Sequence, residues 1–288
     1  MSSNTSKYVL RFLFLLLGIS ILYFLSFIHD KSIQTQPNSI PFNLALNIAP
    51  DSSVPTLCIV TRIYGAQLTY FPILALSLYH NGPHNIRIYV VNTDIRTNLE
   101  QLNETIDFIN QLVRRNDFVS LLNFGPPTRK DDFGYEMTDH ALSYLYEQNL
   151  QSPSICQYVV FTNGDNFCTK NFASKLIPHM KQGKDMIGWG FVSHHGKPHY
   201  QEKIDPHRKA MTEIVDDATG KCTPIELRAG FADLGSVAYR LAFIQKHNLS
   251  FRSTGGSYSF GSDGFFVTQA ASRANVSVVL RQTLFVHQ

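Results

Sequence analysis

From residue 56 onward, short apolar runs of strand character alternate with segments whose apolar residues recur at helical spacing. The strand-like runs lie at 56–64, 86–91, 118–123, 156–162 and 186–191, and the helical segments lie at 68–80, 99–115, 138–148 and 171–181. Such alternation is typical of a parallel sheet covered by helices. We therefore predict an α/β fold with a mostly parallel central sheet. Because ligands of such sheets bind beyond the carboxyl ends of the strands, the polar residues at those ends are the candidate site residues.

The composition narrows the class of protein. Hydrophobic residues make up 44% and charged residues 16% of the 288 residues, which indicates a folded chain. The formal net charge is +3, and the lysines and arginines form no long runs, so no nucleic-acid partner is expected. The sequence contains neither a G-x-S-x-G nor a phosphate-loop lysine motif, which leaves hydrolase and nucleoside-triphosphatase functions without support.

A long uncharged segment lies near the N-terminus. Residues 12–28 carry no charge, and with residues 8–11 the apolar stretch is 21 residues long. A helix of that length spans about 30 Å, the thickness of a bilayer core. Lys7 and Arg11 on its N-terminal side favour a cytoplasmic tail (1–7), a transmembrane signal-anchor (8–28) and a lumenal remainder. A cleaved signal peptide and a buried core helix are the alternatives, the former usually having a shorter apolar region.

The next segment and three short motifs agree with a lumenal location. Residues 29–55 are rich in Pro, Ser, Asn and Gln, and we interpret them as a flexible stem before a domain at 56–288. Acceptor patterns for N-glycosylation begin at Asn103, Asn248 and Asn275. These features predict a single-pass type II protein of the Golgi or endoplasmic reticulum membrane.

The cysteines point to an oxidising compartment without fixing their pairing. The chain has four: Cys58, Cys156, Cys168 and Cys222. An even number permits two disulfides, and three pairings are possible. Cys58 lies inside an apolar strand pattern, so simple burial is its alternative explanation.

One strand end carries a cluster of oxygen ligands. The apolar run that ends at Thr162 is followed by Asn163-Gly164-Asp165. Oxygen ligands on a tight turn suit a hard cation such as Mn²⁺ or Mg²⁺, which would stabilise a diphosphate leaving group. The alternative is an ordinary Asn-Gly-Asp turn.

Four motifs in their order resemble those of GT-A glycosyltransferases. Asn163-Gly164-Asp165 resembles the D-x-D motif, with Asn in the first position, and Asp233-Leu234-Gly235-Ser236 resembles the segment that lines the donor-sugar and acceptor site. Ser262-Asp263-Gly264 resembles the x-E-D element, and His287 resembles the C-terminal metal-binding histidine. The resemblance covers residues 56–288. It implies a single GT-A (Rossmann-like) domain, a nucleotide-sugar donor (a UDP-sugar first), Mn²⁺ or Mg²⁺, and a glycan, glycoprotein or glycolipid acceptor.

The resemblance also implies roles for individual residues. Asp165 and His287 would bind the metal, and Asn163 would contact ribose or metal more weakly than a carboxylate. Asp263 would face the acceptor hydroxyl and act as general base if the enzyme inverts, or bind acceptor or donor if it retains. Read without the resemblance, Asp263 is as well explained as a helix cap. The remaining donor-site candidates are Arg62, Asp94, Gly134, Asp139, Asp233 and Gly235.

Two other functions stay open at this point. The Asn in place of the first D-x-D aspartate favours a noncatalytic protein of the same fold that binds sugars or partners. A stretch with four histidines (194, 195, 199 and 207) favours a lumenal metallohydrolase, although its spacing matches no helix-borne ligand pair.

Overall fold

The computed structural model describes residues 53–81, 85–127, 132–193, 213–216, 220–253 and 255–287. These residues belong to one compact unit, Ala49–Gln288. The predicted tail, the transmembrane segment 8–28 and nearly all of the stem lie outside the described residues. The four histidines of the metallohydrolase hypothesis lie outside them as well.

The first half of the unit alternates strands and helices as the sequence predicts. Its elements are β1 (Leu57–Ile63), α1 (Phe71–Tyr79), β2 (Ile86–Asn92), α2 (Leu99–Val113), β3 (Val119–Leu122), α3 (Tyr135–Gln151) and β4 (Tyr158–Asn163). β1 is buried along its whole length, because its neighbours β2 and β4 pair with it on both edges and helices cover the sheet. In α2, the buried residues recur at helical spacing, and the Asn98 side chain caps the first turn by accepting from the Gln101 N–H at 3.1 Å.

The second half adds strands of both directions. Its elements are β5 (Phe167–Cys168), α4 (Phe172–Lys181), β6 (Met186–Ser193), β7 (Glu213–Asp216), β8 (Gly220–Thr223), a 3₁₀ turn (Leu234–Ser236), β9 (Val237–Arg240), α5 (Leu241–Lys246), α6 (Ser262–Arg273) and β10 (Ser277–His287). The described strands form one sheet in the order β3-β2-β1-β4-β9-β6-β10-β5, with the β7–β8 pair attached to β6.

The predicted fold class is wrong, because the sheet is not mostly parallel; the transmembrane helix that the prediction placed before it lies outside the described residues. The sheet is mixed, because β9 runs antiparallel between β4 and β6, and β5, β7 and β8 also pair antiparallel with their neighbours. β9 has only four residues and continues directly into α5, so its sequence contains no signal of its direction. In the part of the chain that the structure describes, no helix combines the length and apolar character needed to cross a bilayer.

Two long-range links fix the ends of the sheet. The Asp185 carboxylate, which is buried before β6, accepts from the backbone N–H groups of Asn275 (2.9 Å) and Val276 (3.2 Å) and forms an ion pair with Arg240. It therefore joins the starts of β6 and β10 to the end of β9. Cys58 of β1 is disulfide-bonded to Cys156, and both are fully buried. Of the three possible pairings, the structure therefore supports the one that joins Cys58 to Cys156. Cys168 is buried and free, and the side chain of Cys222 is not among those described.

Candidate active site

The predicted strand-end residues Arg62 and Asn163 are neighbours. They are paired in the parallel register of β1 and β4, and Arg62 Nε donates to Asn163 Oδ1 at 2.9 Å. The Arg62 guanidinium also donates from Nη1 to the Phe133 carbonyl at 2.9 Å and lies 4.6 Å from the centroid of the Tyr135 ring. Only 9% of the surface of Arg62 is exposed to solvent, so these contacts hold a desolvated cation in a fixed position. A fixed cation at the carboxyl edge of a sheet is suited to bind an anionic ligand.

The turn after β4 presents a carboxylate. A Cβ at Gly164 would lie 2.1 Å from Cδ1 of Ile63, so glycine lets the turn approach β1 closely without moving this buried side chain. The Gly164 N–H donates to the Arg62 carbonyl at 3.0 Å, which closes the turn. The next residue, Asp165, has a buried Oδ1 atom that finds no hydrogen-bond partner among the residues that the structure describes. Leaving a buried acceptor unpaired costs about 1–3 kcal/mol, and buried polar atoms of this kind usually have a ligand, water or ion as partner.

Asp233 links two of the predicted motifs. Its Oδ1 accepts from the Gly235 N–H at 2.9 Å, and its Oδ2 lies 3.6 Å from Nδ1 of His287. Gly235 packs against the buried ring of Phe285, where an added Cβ would come within 2.1 Å of Cζ. The glycine is therefore required by packing, and the turn it allows places Asp233 beside the imidazole. When a histidine binds a metal through one ring nitrogen, a carboxylate beside the other ring nitrogen usually fixes the orientation of the ring.

Asp263 lies in the first turn of α6. Its Oδ1 accepts from the Gly264 N–H at 2.7 Å. Burial raises the pKa of this carboxyl above its usual range, the nearby Asp233 raises it further, and the Arg62 guanidinium opposes the shift. The structure thus brings Arg62, Asp233 and Asp263 close enough to influence one another, although they are far apart in sequence.

A divalent cation fits this site in part. The antiparallel pairing of Val286 with Phe167 brings the end of β10, and with it His287, to the turn that carries Asp165. Asn163 Oδ1 already accepts from Arg62. Within the described ranges no group of three His, Cys, Asp or Glu side chains is arranged to hold an ion. Metal binding by Asp165 and His287 therefore stays a prediction.

Two predicted donor-site residues have other partners. The Asp94 carboxylate forms an ion pair with Arg96, 3.0 Å from its Nη2, which holds the pKa of Asp94 below its usual value. Asp139, on α3, accepts from the Phe251 N–H at 2.9 Å and the Tyr258 hydroxyl at 3.1 Å. Burial raises the pKa of Asp139 to about 6. Asp139 therefore ties α3 to the loop before α6.

Gly134 begins α3 in a left-handed conformation (φ +79°), and a Cβ there would lie 2.7 Å from Cγ2 of Thr93. Both the backbone angle and the close contact require glycine. Gly134 therefore acts through the backbone, by bringing the loop before α3 against the end of β2.

Sequence reasoning missed two residues beside the site, Phe133 and Phe260. Phe133 also has a left-handed backbone (φ +55°), which costs a non-glycine residue about 1–2 kcal/mol. Its ring is 55% exposed and contacts the 72% exposed ring of Phe260 edge to face, with centroids 5.6 Å apart. Nothing in the local pattern marks either residue, because the pair is created by two loops that are distant in sequence.

Comparisons with known proteins place the fold. No protein-family model and no curated protein sequence matches the chain. The crystal structure of TarS 1–349 from S. aureus is similar at a TM-score of 0.54 and 14% identity, over 81% of this chain and 60% of that one. It has also been solved with UDP and with UDP-GlcNAc. The mannosyltransferase PcManGT from Pyrobaculum calidifontis, in complex with GDP-Man and Mn²⁺, matches at a TM-score of 0.50 and 11% identity, over 84% and 59% of the two chains.

At these identities the similarity concerns the fold alone. The chain spans about three-fifths of the length of the structures it matches. It has a glycosyltransferase-like α/β fold built on a mixed sheet, with Arg62 and Asn163 at the carboxyl ends of β1 and β4.

Proposed function

We propose that this chain transfers a sugar from a nucleotide-sugar donor to a hydroxyl group of a glycan, glycoprotein or glycolipid acceptor. The observation that carries the proposal is the buried Oδ1 of Asp165, which lacks a partner within the described ranges and lies on a turn joined by hydrogen bonding to the buried Arg62. An unpaired acceptor and a fixed guanidinium at one sheet edge suit a ligand that brings both a cation and an anionic diphosphate. The glycosyltransferase-like fold supports the same conclusion.

In the proposed reaction the acceptor oxygen attacks the anomeric carbon of the donor sugar. The bond from that carbon to the diphosphate oxygen breaks, and the nucleoside diphosphate leaves with the electron pair. The Asp263 carboxylate takes the hydroxyl proton, and its raised pKa makes it a stronger base than an exposed aspartate. Arg62 holds the diphosphate through charge and hydrogen bonds. Direct displacement of this kind inverts the configuration at the anomeric carbon.

Asp165 and His287 are the residues that we propose for a divalent cation, with Asp233 orienting the imidazole. When bound, Mn²⁺ or Mg²⁺ would neutralise part of the charge on the diphosphate. The nucleotide is proposed to be UDP first and GDP second. TarS has been solved with UDP and PcManGT with GDP-Man, so the two alternatives are tested together.

The deciding experiment is a calorimetric titration of the full chain with UDP, GDP and CMP, each with and without Mn²⁺. We expect one nucleotide to bind, and to bind more tightly with the ion. The matching nucleotide-sugar is then incubated with the protein, and release of nucleoside diphosphate is followed with time. Failure of all three nucleotides to bind, with and without Mn²⁺, would contradict the proposal.

We also propose that the domain works in an oxidising compartment of the secretory pathway. The Cys58–Cys156 disulfide supports this location, since such bonds persist in oxidising environments. The acceptor asparagines Asn103, Asn248 and Asn275 are all exposed, as glycan attachment requires. Expression in a eukaryotic cell, followed by an endoglycosidase and gel mobility, tests this; no shift in mobility would count against it.

A second candidate function is nucleotide-sugar binding without catalysis. Asn163 favours it, since this neutral residue occupies the first D-x-D position and its side-chain oxygen already accepts from Arg62. Its signature would be nucleotide binding without release of nucleoside diphosphate, unchanged by Asp263→Asn.

A further inference from the structure

The exposed aromatic pair beside the site calls for an explanation. Phe133 and Phe260 are among the most exposed large apolar side chains of the described residues, and their rings touch across two loops. Burying such rings is favourable, so two that remain in solvent while contacting each other usually mark a binding surface. The position of the pair then decides what it binds.

Both residues lie close in the chain or in space to groups of the proposed site. The backbone carbonyl of Phe133 accepts the hydrogen bond from Arg62 Nη1 at 2.9 Å. Phe260 stands three positions before Asp263, in the turn that leads into α6. The pair therefore lies on the rim of the site, next to the residues proposed to hold the diphosphate and to accept the proton.

The backbone of Phe133 is a second, independent observation. Its left-handed conformation (φ +55°) is one that glycine or asparagine adopts with less strain than a bulky side chain. Strained residues of this kind concentrate at ligand-binding sites. The fold itself gains little from this phenylalanine, because more than half of its side chain is in solvent.

The surroundings of the rings distinguish a sugar from a purely apolar ligand. Ser257 and Ser259 are exposed near Phe260 in sequence, and the Ser259 N–H donates to Ser262 Oγ at 3.0 Å at the start of α6. A pyranose has an apolar face of C–H groups and a rim of hydroxyl groups. Such a ligand can use the rings and the neighbouring hydroxyls together, whereas a lipid chain would displace water from these exposed hydroxyls and give no hydrogen bond in return.

We propose that Phe133 and Phe260 form an aromatic platform that binds a pyranose ring of the acceptor by its apolar face. The role of this sugar as the acceptor rests on the proposed function, whereas the binding of a sugar by the two rings does not. The ring sits on the α6 side of the site, so the hydroxyl to be glycosylated is directed toward Asp263. The platform thus restricts acceptors to sugars that present an unobstructed C–H face.

The test measures binding without turnover. Methyl glycosides of galactose, glucose and mannose are added to the full chain, and saturation-transfer difference NMR is recorded with the aromatic protons irradiated. We expect saturation of ring C–H protons in at least one glycoside. The affinity should fall about fivefold to tenfold in Phe260→Ala and recover in Phe260→Tyr. Phe108→Ala is the matched control, because Phe108 is 61% exposed on α2.

Phe133→Asn separates binding from folding. Asparagine tolerates the left-handed backbone, so the melting temperature should stay the same or rise while the glycoside affinity falls. Equal binding by wild type and Phe260→Ala, or no binding of any glycoside, would overturn the platform. Because no nucleotide is needed, these results are independent of the calorimetric titration: loss of nucleotide binding alone would refute the transferase and leave the platform standing.

Discussion

Arg62 Nε donates to Asn163 Oδ1 across 2.9 Å and joins the carboxyl ends of the two central parallel strands, β1 and β4. This bond engages the single side-chain oxygen of Asn163, and Nη1 of Arg62 donates to the Phe133 carbonyl instead. Because the amide is neutral, the site has one carboxylate fewer than the D-x-D motif provides. Charge at this position should therefore control how tightly a cation binds.

Asn163→Asp is expected to tighten Mn²⁺ binding by about tenfold, because cation affinity rises with the number of charged oxygen ligands. An aspartate has two oxygens, so one can accept from Arg62 while the other faces the ion. Calorimetric titration of the full chain with Mn²⁺ measures the change. Asp165→Asn is the opposite control and should weaken binding; an unchanged affinity in both variants would contradict a cation site at this turn.

Asp263→Asn is expected to lower the transfer rate about 10²–10⁴-fold, because an amide cannot accept the acceptor proton. Burial penalises the ionised carboxylate, so the variant should unfold at the same or a higher temperature than wild type. In wild type the rate should rise with pH through a pKa above the ordinary aspartate value. Initial rates from pH 4 to pH 8 and a thermal melt test both statements; an unchanged rate in Asp263→Asn would contradict the proposed role as general base.

The stability of the protein should fall as pH rises toward neutrality because of Asp139. Its folded pKa is about 6, above the unfolded value, so the native state holds a proton that the unfolded chain has lost. The stabilisation is complete below about pH 4 and is lost by about pH 7, and it amounts to roughly 1–3 kcal/mol. Urea unfolding of wild type and Asp139→Asn at pH 4.5 and pH 7 gives the difference, which should be smaller in the variant.

Gly235→Ala is expected to destabilise the protein by about 1–3 kcal/mol through overpacking. The new Cβ would lie 2.1 Å from Cζ of Phe285, whose ring is buried and surrounded by the core. Gly65→Ala is the matched control, since its Cβ would meet only ordinary contacts at 3.8 Å or more. Denaturant midpoints decide the matter, and equal midpoints for the two variants would contradict the packing argument.

The elements of the first half of the domain could be predicted because the local spacing of apolar residues indicates which side chains are buried. β1, β2 and β4 are mostly apolar runs, and α2 repeats its buried residues at helical spacing. The direction of β9 could not be predicted, since a four-residue run packs equally well either way. Its partners β4 and β6 lie tens of residues away, and only their hydrogen-bonding edges decide the orientation.

By itself the sequence determined which residues end the central strands, because an apolar run that stops at Arg62 or Asn163 must deliver a polar side chain to the sheet edge. It also determined that glycine stands at 164 and 235. Only the tertiary structure decided why those glycines are needed, and that Asp139 holds the loop before α6. The tertiary structure likewise decided that Phe133 and Phe260 meet. These are contacts between distant segments, and their energies depend on the folded geometry rather than on any local pattern.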